Sequence, residues 1–205
     1  LALQVLYPDF FGGCWSGYPD PPDFRALQLV DIYRHTNAFV NEWGFERPCA
    51  RGINGDTQFT MRHETQLENV LGAGDSFVRS GGQWGSWNAT YSPRSAAGVP
   101  LAIWDPRTGV LDRSVANAWQ RHDLRRHLEA RWERVGPQLR GKIRIWMGDA
   151  DTYFLDGATR MFDAFLKGTH PPADARIEFA PGQPHGWEPR TWKELLQEMA
   201  AITGA

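Results

Sequence analysis

Lys142-Ile143-Arg144-Ile145-Trp146-Met147, bounded by Gly141 and Gly148, is a short apolar run that reads as a buried strand. At its carboxyl end comes the tight turn Gly148-Asp149-Ala150-Asp151. Phe154, Ala158, Met161, Phe162 and Phe165 then recur at helical spacing, which predicts a helix covering the sheet. Arg176 to Ala180 reads as a second strand and leads into Pro181-Gly182-Gln183-Pro184-His185-Gly186-Trp187. Two consecutive parallel strands joined by a helix set their carboxyl ends side by side, and open α/β sheets bind ligands along that edge. The expected fold class is therefore α/β, a mostly parallel sheet flanked by helices.

An acid after one strand and a histidine after the next can work together. The carboxylate accepts a hydrogen bond from one ring nitrogen and fixes the tautomer, leaving the other nitrogen as a base. Asp in a turn and His in a Pro/Gly loop are equally ordinary turn chemistry, so the spacing alone leaves both readings open.

Gly141 to Trp187, together with Tyr7-Pro8-Asp9-Phe10-Phe11-Gly12-Gly13, resembles the C-terminal half of α/β-hydrolase-fold esterases. The resemblance implies a partial α/β-hydrolase fold and a triad in the order Ser, Asp or Glu, His. In that family a Gly-x-x-Asp turn supplies the acid and a last loop with Gly-x-x-His supplies the base. Gly148 to Asp151 and Gly182 to His185 match, which gives Asp151 the acid's role and His185 the base's. Asp149 competes for the first role but falls inside the turn.

The resemblance also implies that Leu1 to Leu6 is the tail of the helix that follows the nucleophile, and Phe10 to Ser16 the next core strand. The chain opens at Leu1, without a methionine and in what reads as mid-helix, so it is expected to be a piece of a longer protein. The expected function is the C-terminal part of a serine hydrolase, a carboxylic-ester hydrolase, with the nucleophile upstream. Its expected partners are a small-molecule ester and the missing N-terminal segment of the same protein. A fragment of this kind would expose apolar strand edges and be poorly soluble or partnered. The alternative is a hydrolase-like binding or scaffolding module without catalysis. Peptidases, thioesterases and acyltransferases use the same triad, so fold and triad do not choose among substrates.

A nucleophile elbow needs small residues around a strained serine, usually Gly-x-Ser-x-Gly, and no such pentapeptide occurs. Ser16, in Gly13-Cys14-Trp15-Ser16-Gly17-Tyr18-Pro19, is the nearest imitation, with its glycine one place off and Pro19 opposing a helix. Ser86 follows no predicted strand. Trp15, Ser16 and Trp187 are expected to line the substrate site. Ten tryptophans suit an aromatic-walled pocket or a Trp-rich core, and sugar faces stack on indole, which makes carbohydrate esters an attractive substrate class.

The 205 residues suffice for one domain, and a formal charge of −2 without a basic stripe gives no reason to invoke nucleic acid. No apolar run approaches membrane-spanning length. Cys14 and Cys49 could form one disulfide or stay two buried thiols, and Asn88-Ala89-Thr90 fits a glycosylation sequon. His63 beside Glu64 and the pair His122 and His127 lack metal-ligand spacing, so neither a metal nor another cofactor is expected.

Residues 36–112 are rich in Gly, Pro, Asn and Trp and read as an insertion or cap with short helices over Thr60 to Leu71 and Gly81 to Tyr91. Phe24 to Tyr33 fits strand and helix equally. Asp112 to Leu139 is the clearest helical region, with Leu124, Leu128 and Trp132 in register and Gly136-Pro137 as its stop. Residues 141–205 hold the last core strands and helices, ending in an amphipathic helix through Trp192, Leu195, Leu196, Met199 and Ile202.

Overall fold

A computed structural model describes residues 1–204. In chain order the elements are α1 (Ala2–Leu6), β1 (Cys14–Gly17), β2 (Pro48–Arg51), β3 (Thr57–Thr60), α2 (Met61–Leu71), α3 (Gln83–Tyr91), α4 (Arg113–Trp119), α5 (Leu124–Glu129), α6 (Trp132–Leu139), β4 (Ile143–Gly148), α7 (Asp156–Lys167), β5 (Arg176–Ala180) and α8 (Trp192–Thr203). They belong to two compact units. The first joins Leu1–Asp23 to Leu124–Ala205, and the second is the stretch between, Phe24–Asp123.

The first unit is mixed α/β. Its three-stranded sheet has the order β1-β4-β5 and both pairings are parallel, with Ser16 opposite Ile145 and Gly148 opposite Ala180. Successive side chains on a strand point to opposite faces, and here the two faces differ sharply. Cys14, Ile143, Ile145 and Ile177 enter an apolar core with Val5 of α1, Leu128 of α5, Val135 and Leu139 of α6, and Phe162 of α7. Each fully buried aliphatic side chain of this kind contributes about 1.5–3 kcal/mol.

The alternate residues Trp15 and Arg144 engage α8 instead. The Trp15 indole donates to Glu198 at 3.2 Å, and the Arg144 guanidinium lies 4.7 Å from the Trp15 ring centroid. Arg190 joins Glu198 at 3.1 Å. α8 itself starts at Thr191, whose hydroxyl caps Glu194 N–H while the Glu194 carboxylate reaches back.

The second unit is built on aromatic side chains. Trp84, Trp104 and Trp119 are fully buried, Phe77 stacks on Trp104 at 5.7 Å, and Trp84 meets Trp104 edge-on at 4.4 Å. Buried Glu68 anchors this core. It accepts from the Ser80 hydroxyl at 2.6 Å and from the backbone N–H groups of Trp84 and Gly85, each at 2.8 Å.

Several expectations change. The excursion between β1 and β4 runs from Phe24 to Asp123 and is wider than residues 36–112. The helical region Asp112 to Leu139 is three helices, because Asp123 turns inward and accepts from Phe24 N–H at 3.0 Å and the Tyr33 hydroxyl at 2.7 Å. Pro137 lies inside α6 and does not stop it. One lost backbone bond is outweighed by burial of Trp132, Val135 and Leu139.

The expected strand Phe10 to Ser16 is shortened at its start, β1 running from Cys14 to Gly17, and Phe10 is an exposed turn residue. Phe24 to Tyr33 is neither strand nor α-helix. It is a 3-10 turn followed by the tight Leu27–Val30 bridge, with Phe24, Leu27, Val30 and Ile32 buried. The β2–β3 hairpin lies in a segment from which only helices were expected.

Asn88 is fully buried and bonds Trp84 O and Ile103 N–H, so its sequon is unavailable in the folded chain. Both cysteines are free thiols. Among the described residues no helix is long and apolar enough to cross a membrane, and no three His, Cys, Asp or Glu side chains could hold a metal ion. His63 helps cap α2, its Nδ1 accepting from Thr60 N–H at 3.4 Å.

Candidate functional site

The parallel pairing of β4 with β5 brings the turn after Gly148 and the loop after Ala180 to one sheet edge. Backbone bonds hold the two segments together. Asp149 N–H donates to Ala180 O and Ala150 N–H to Gln183 O, both at 3.0 Å. Asp149 accepts from Gly182 N–H at 2.6 Å and lies 3.9 Å from Arg160, so its carboxylate serves the join between the segments.

The approach is close enough to demand a glycine at the end of β4. A Cβ built on Gly148 would sit 2.6 Å from the Gln183 carbonyl carbon and nearer still to the Gln183 and Pro184 carbonyl oxygens, inside the 3.0 Å that real Cβ atoms respect. The strand end thus sets the position of the loop carrying His185.

Asp151 is fully buried and its carboxylate is held at both oxygens. Oδ1 accepts from the N–H groups of Tyr153 at 2.9 Å and Leu155 at 3.1 Å, while Oδ2 lies 2.8 Å from His185 Nδ1. A carboxylate so oriented favours the proton on Nδ1 and leaves the Nε2 lone pair outward. The His185 side chain is 27% exposed, and Nε2 has no hydrogen-bond partner among the described residues.

Two tyrosines flank the imidazole edge-on, Tyr18 at 4.7 Å and Tyr153 at 5.1 Å between ring centroids. Neither was singled out from sequence, because both reach the site by tertiary packing and carry no motif. Tyr18 directly follows β1 at φ +35°, and Phe154, in the Asp151 turn, has φ +60°. Left-handed non-glycine residues of this sort cost about 1–3 kcal/mol each and concentrate at functional sites. The Tyr18 hydroxyl donates to Glu188 at 2.9 Å, and that bond raises its pKa.

The other expected site residues stand differently. Ser16 is a mid-strand residue of β1, and the strand continues to Gly17 with no helix behind it, so it lacks an elbow. It forms no hydrogen bond with His185. Ser86 lies inside α3. The Trp15 indole is engaged with Arg144 and Glu198 on the α8 side of the sheet. Trp187, half-buried just past the Gly186 turn, makes no indole hydrogen bond among the described residues.

The arrangement can therefore hold a neutral imidazole in one tautomer, accept a proton at Nε2 and stabilise the imidazolium through a buried carboxylate. Comparison of the chain with protein-family models, curated proteins and solved structures finds no match in any of the three.

Proposed function

We propose that this chain carries the acid and base of a serine-hydrolase triad and forms the C-terminal part of an α/β-hydrolase-type carboxylic-ester hydrolase. The observation that carries the proposal is the 2.8 Å contact between His185 Nδ1 and buried Asp151 at the carboxyl ends of adjacent parallel strands. His185 Nε2 takes the proton of an attacking hydroxyl and returns it to the leaving group, and Asp151 holds the ring and the resulting charge. The hydroxyl comes from a segment outside these residues. Among the described residues β1 pairs with β4 alone, and its other edge is where a further parallel strand would pair. Ester substrates are the reading's first choice, carbohydrate esters among them.

The test is hydrolysis of p-nitrophenyl acetate and of acetylated sugars by the full-length gene product. Its rate should fall about 10³–10⁴-fold with Asp151→Asn and to background with His185→Ala. An unchanged rate in the His185 variant refutes the assignment. The absence of ester turnover at full length, with His185 intact, would favour the binding-module alternative.

A further inference from the structure

Within the second unit a half-open cleft of about 490 Å³ is lined by Arg34, His35, Asn37, Asn41, Glu42 and Arg47, among others. Its polar groups are unbalanced. Arg47 is only 9% exposed, yet its five guanidinium donors meet one carbonyl, Leu29 O at 3.1 Å, and one carboxylate, Glu42, at 4.0 Å; its Nε is buried without a partner. A buried cation ordinarily has its donors satisfied, because leaving them dry is unfavourable.

The neighbours add more donors than acceptors, the acceptors being the Glu42 carboxylate and the Thr36 hydroxyl. His35 Nδ1 accepts from Asp31 N–H at 3.0 Å, so the neutral ring carries its proton on Nε2, which has no partner among the described residues. Burial, and then the Arg47 charge, lower the His35 pKa and favour that neutral ring. Asn41 Oδ1 accepts from Trp43 and Phe45 N–H, which fixes the amide orientation and leaves Nδ2 as a donor. The exposed Arg34 guanidinium makes no ion pair among the described residues. Two guanidiniums, an imidazole N–H and an amide N–H thus outnumber the acceptors, the Thr36 hydroxyl and one carboxylate that is itself largely exposed.

We infer that this cleft binds the oxyanion of a small molecule, a carboxylate or a phosphate, with Arg47 as the buried anchor and Arg34, His35 and Asn41 closing around it. Guanidinium and oxyanion match in planar, two-point geometry, which chloride cannot reproduce. The turn that follows Asn41 exposes Trp43 and Phe45, both more than two-thirds accessible, beside the cleft in sequence.

The experiment is isothermal titration calorimetry of the whole chain with malonate and with inorganic phosphate, against sodium chloride at matched ionic strength. Saturable one-to-one binding of either anion is expected. Malonate alone identifies a carboxylate site and phosphate alone a phosphate site. Arg34→Glu, at an exposed position, should weaken binding at least tenfold without moving the unfolding midpoint, and Arg47→Lys should weaken it too where that variant folds. The inference is overturned if both anions give no more heat than chloride, if Arg34→Glu binds like the parent, or if a folded Arg47→Lys does.

Discussion

Gly148→Ala adds one methyl group, and its effect can be worked from the Gln183 contact. The new Cβ would lie 2.6 Å from the Gln183 carbonyl carbon, with backbone and no flexible side chain in the way. Reaching ordinary contact requires the loop or the strand end to retreat by roughly 1 Å. The loop is tied to the turn after β4 by Ala150 N–H to Gln183 O at 3.0 Å, and His185 lies two residues beyond Gln183. A retreat of that size stretches the 2.8 Å contact between His185 and Asp151 past hydrogen-bond range.

Overpacking of this kind destabilises by about 1–3 kcal/mol, and a misplacement of about 1 Å slows a catalysed step by about 10²-fold. Urea unfolding measures the first. Proton NMR of the Nδ1–H resonance of His185 measures the geometry directly, and ester hydrolysis at full length measures the consequence for the proposed activity. A Gly148→Ala protein with the same Nδ1–H resonance and a stability within about 0.5 kcal/mol of the parent would refute the packing argument.

Three other outcomes are expected. Glu68→Leu should destabilise by about 3 kcal/mol or more in urea unfolding, because the Trp84 and Gly85 N–H groups lose a buried acceptor; a loss below about 1 kcal/mol would contradict the role of Glu68. Burial pushes the Cys49 thiol up to about 12 and raises Cys14 as well, so neither should react with Ellman's reagent at pH 8 until the chain is unfolded. Bonds from Thr108 N–H to Asp105, and from the Ser114 hydroxyl to Asp112, hold both carboxyls below the usual range. With folded pKa values below unfolded ones, their stabilisation is present above about pH 4 and is lost as pH falls through the folded values. Asp112→Asn should therefore lose less thermal stability between pH 5 and pH 3 than the parent does.

What could be read from the sequence follows the range of the interaction concerned. The strand at Ile143 to Gly148, the turn at Asp151 and the loop at His185 were legible because parallel strands order their loops along one edge whatever surrounds them. Tyr18 and Tyr153 were not, since rings packed against His185 carry no local pattern. Asp123 misled because an aspartate among charged helical residues looks like surface, while its partners Phe24 and Tyr33 lie about a hundred residues away in sequence. The β2–β3 hairpin contains Asn54-Gly55, with Gly55 at φ +88°, but inside the longer loop that Gly52 N–H closes on Asp56 O at 2.8 Å. It was masked by flanking strands of four residues each, one opening on proline.

The splice where the second unit leaves and re-enters the first is tied on each side. Fully buried Asp23 pairs with Arg125 at 3.1 Å and Arg125 N–H donates to Pro22 O at 2.9 Å, while Phe24 N–H donates to Asp123. During translation, β1 emerges more than a hundred residues ahead of β4, the only strand it bonds among the described residues. Pairing across so long a loop is slow until the intervening chain is compact. The nested segment is then the first able to fold, and by bringing Phe24 and Asp123 together it shortens the distance over which the outer sheet must close.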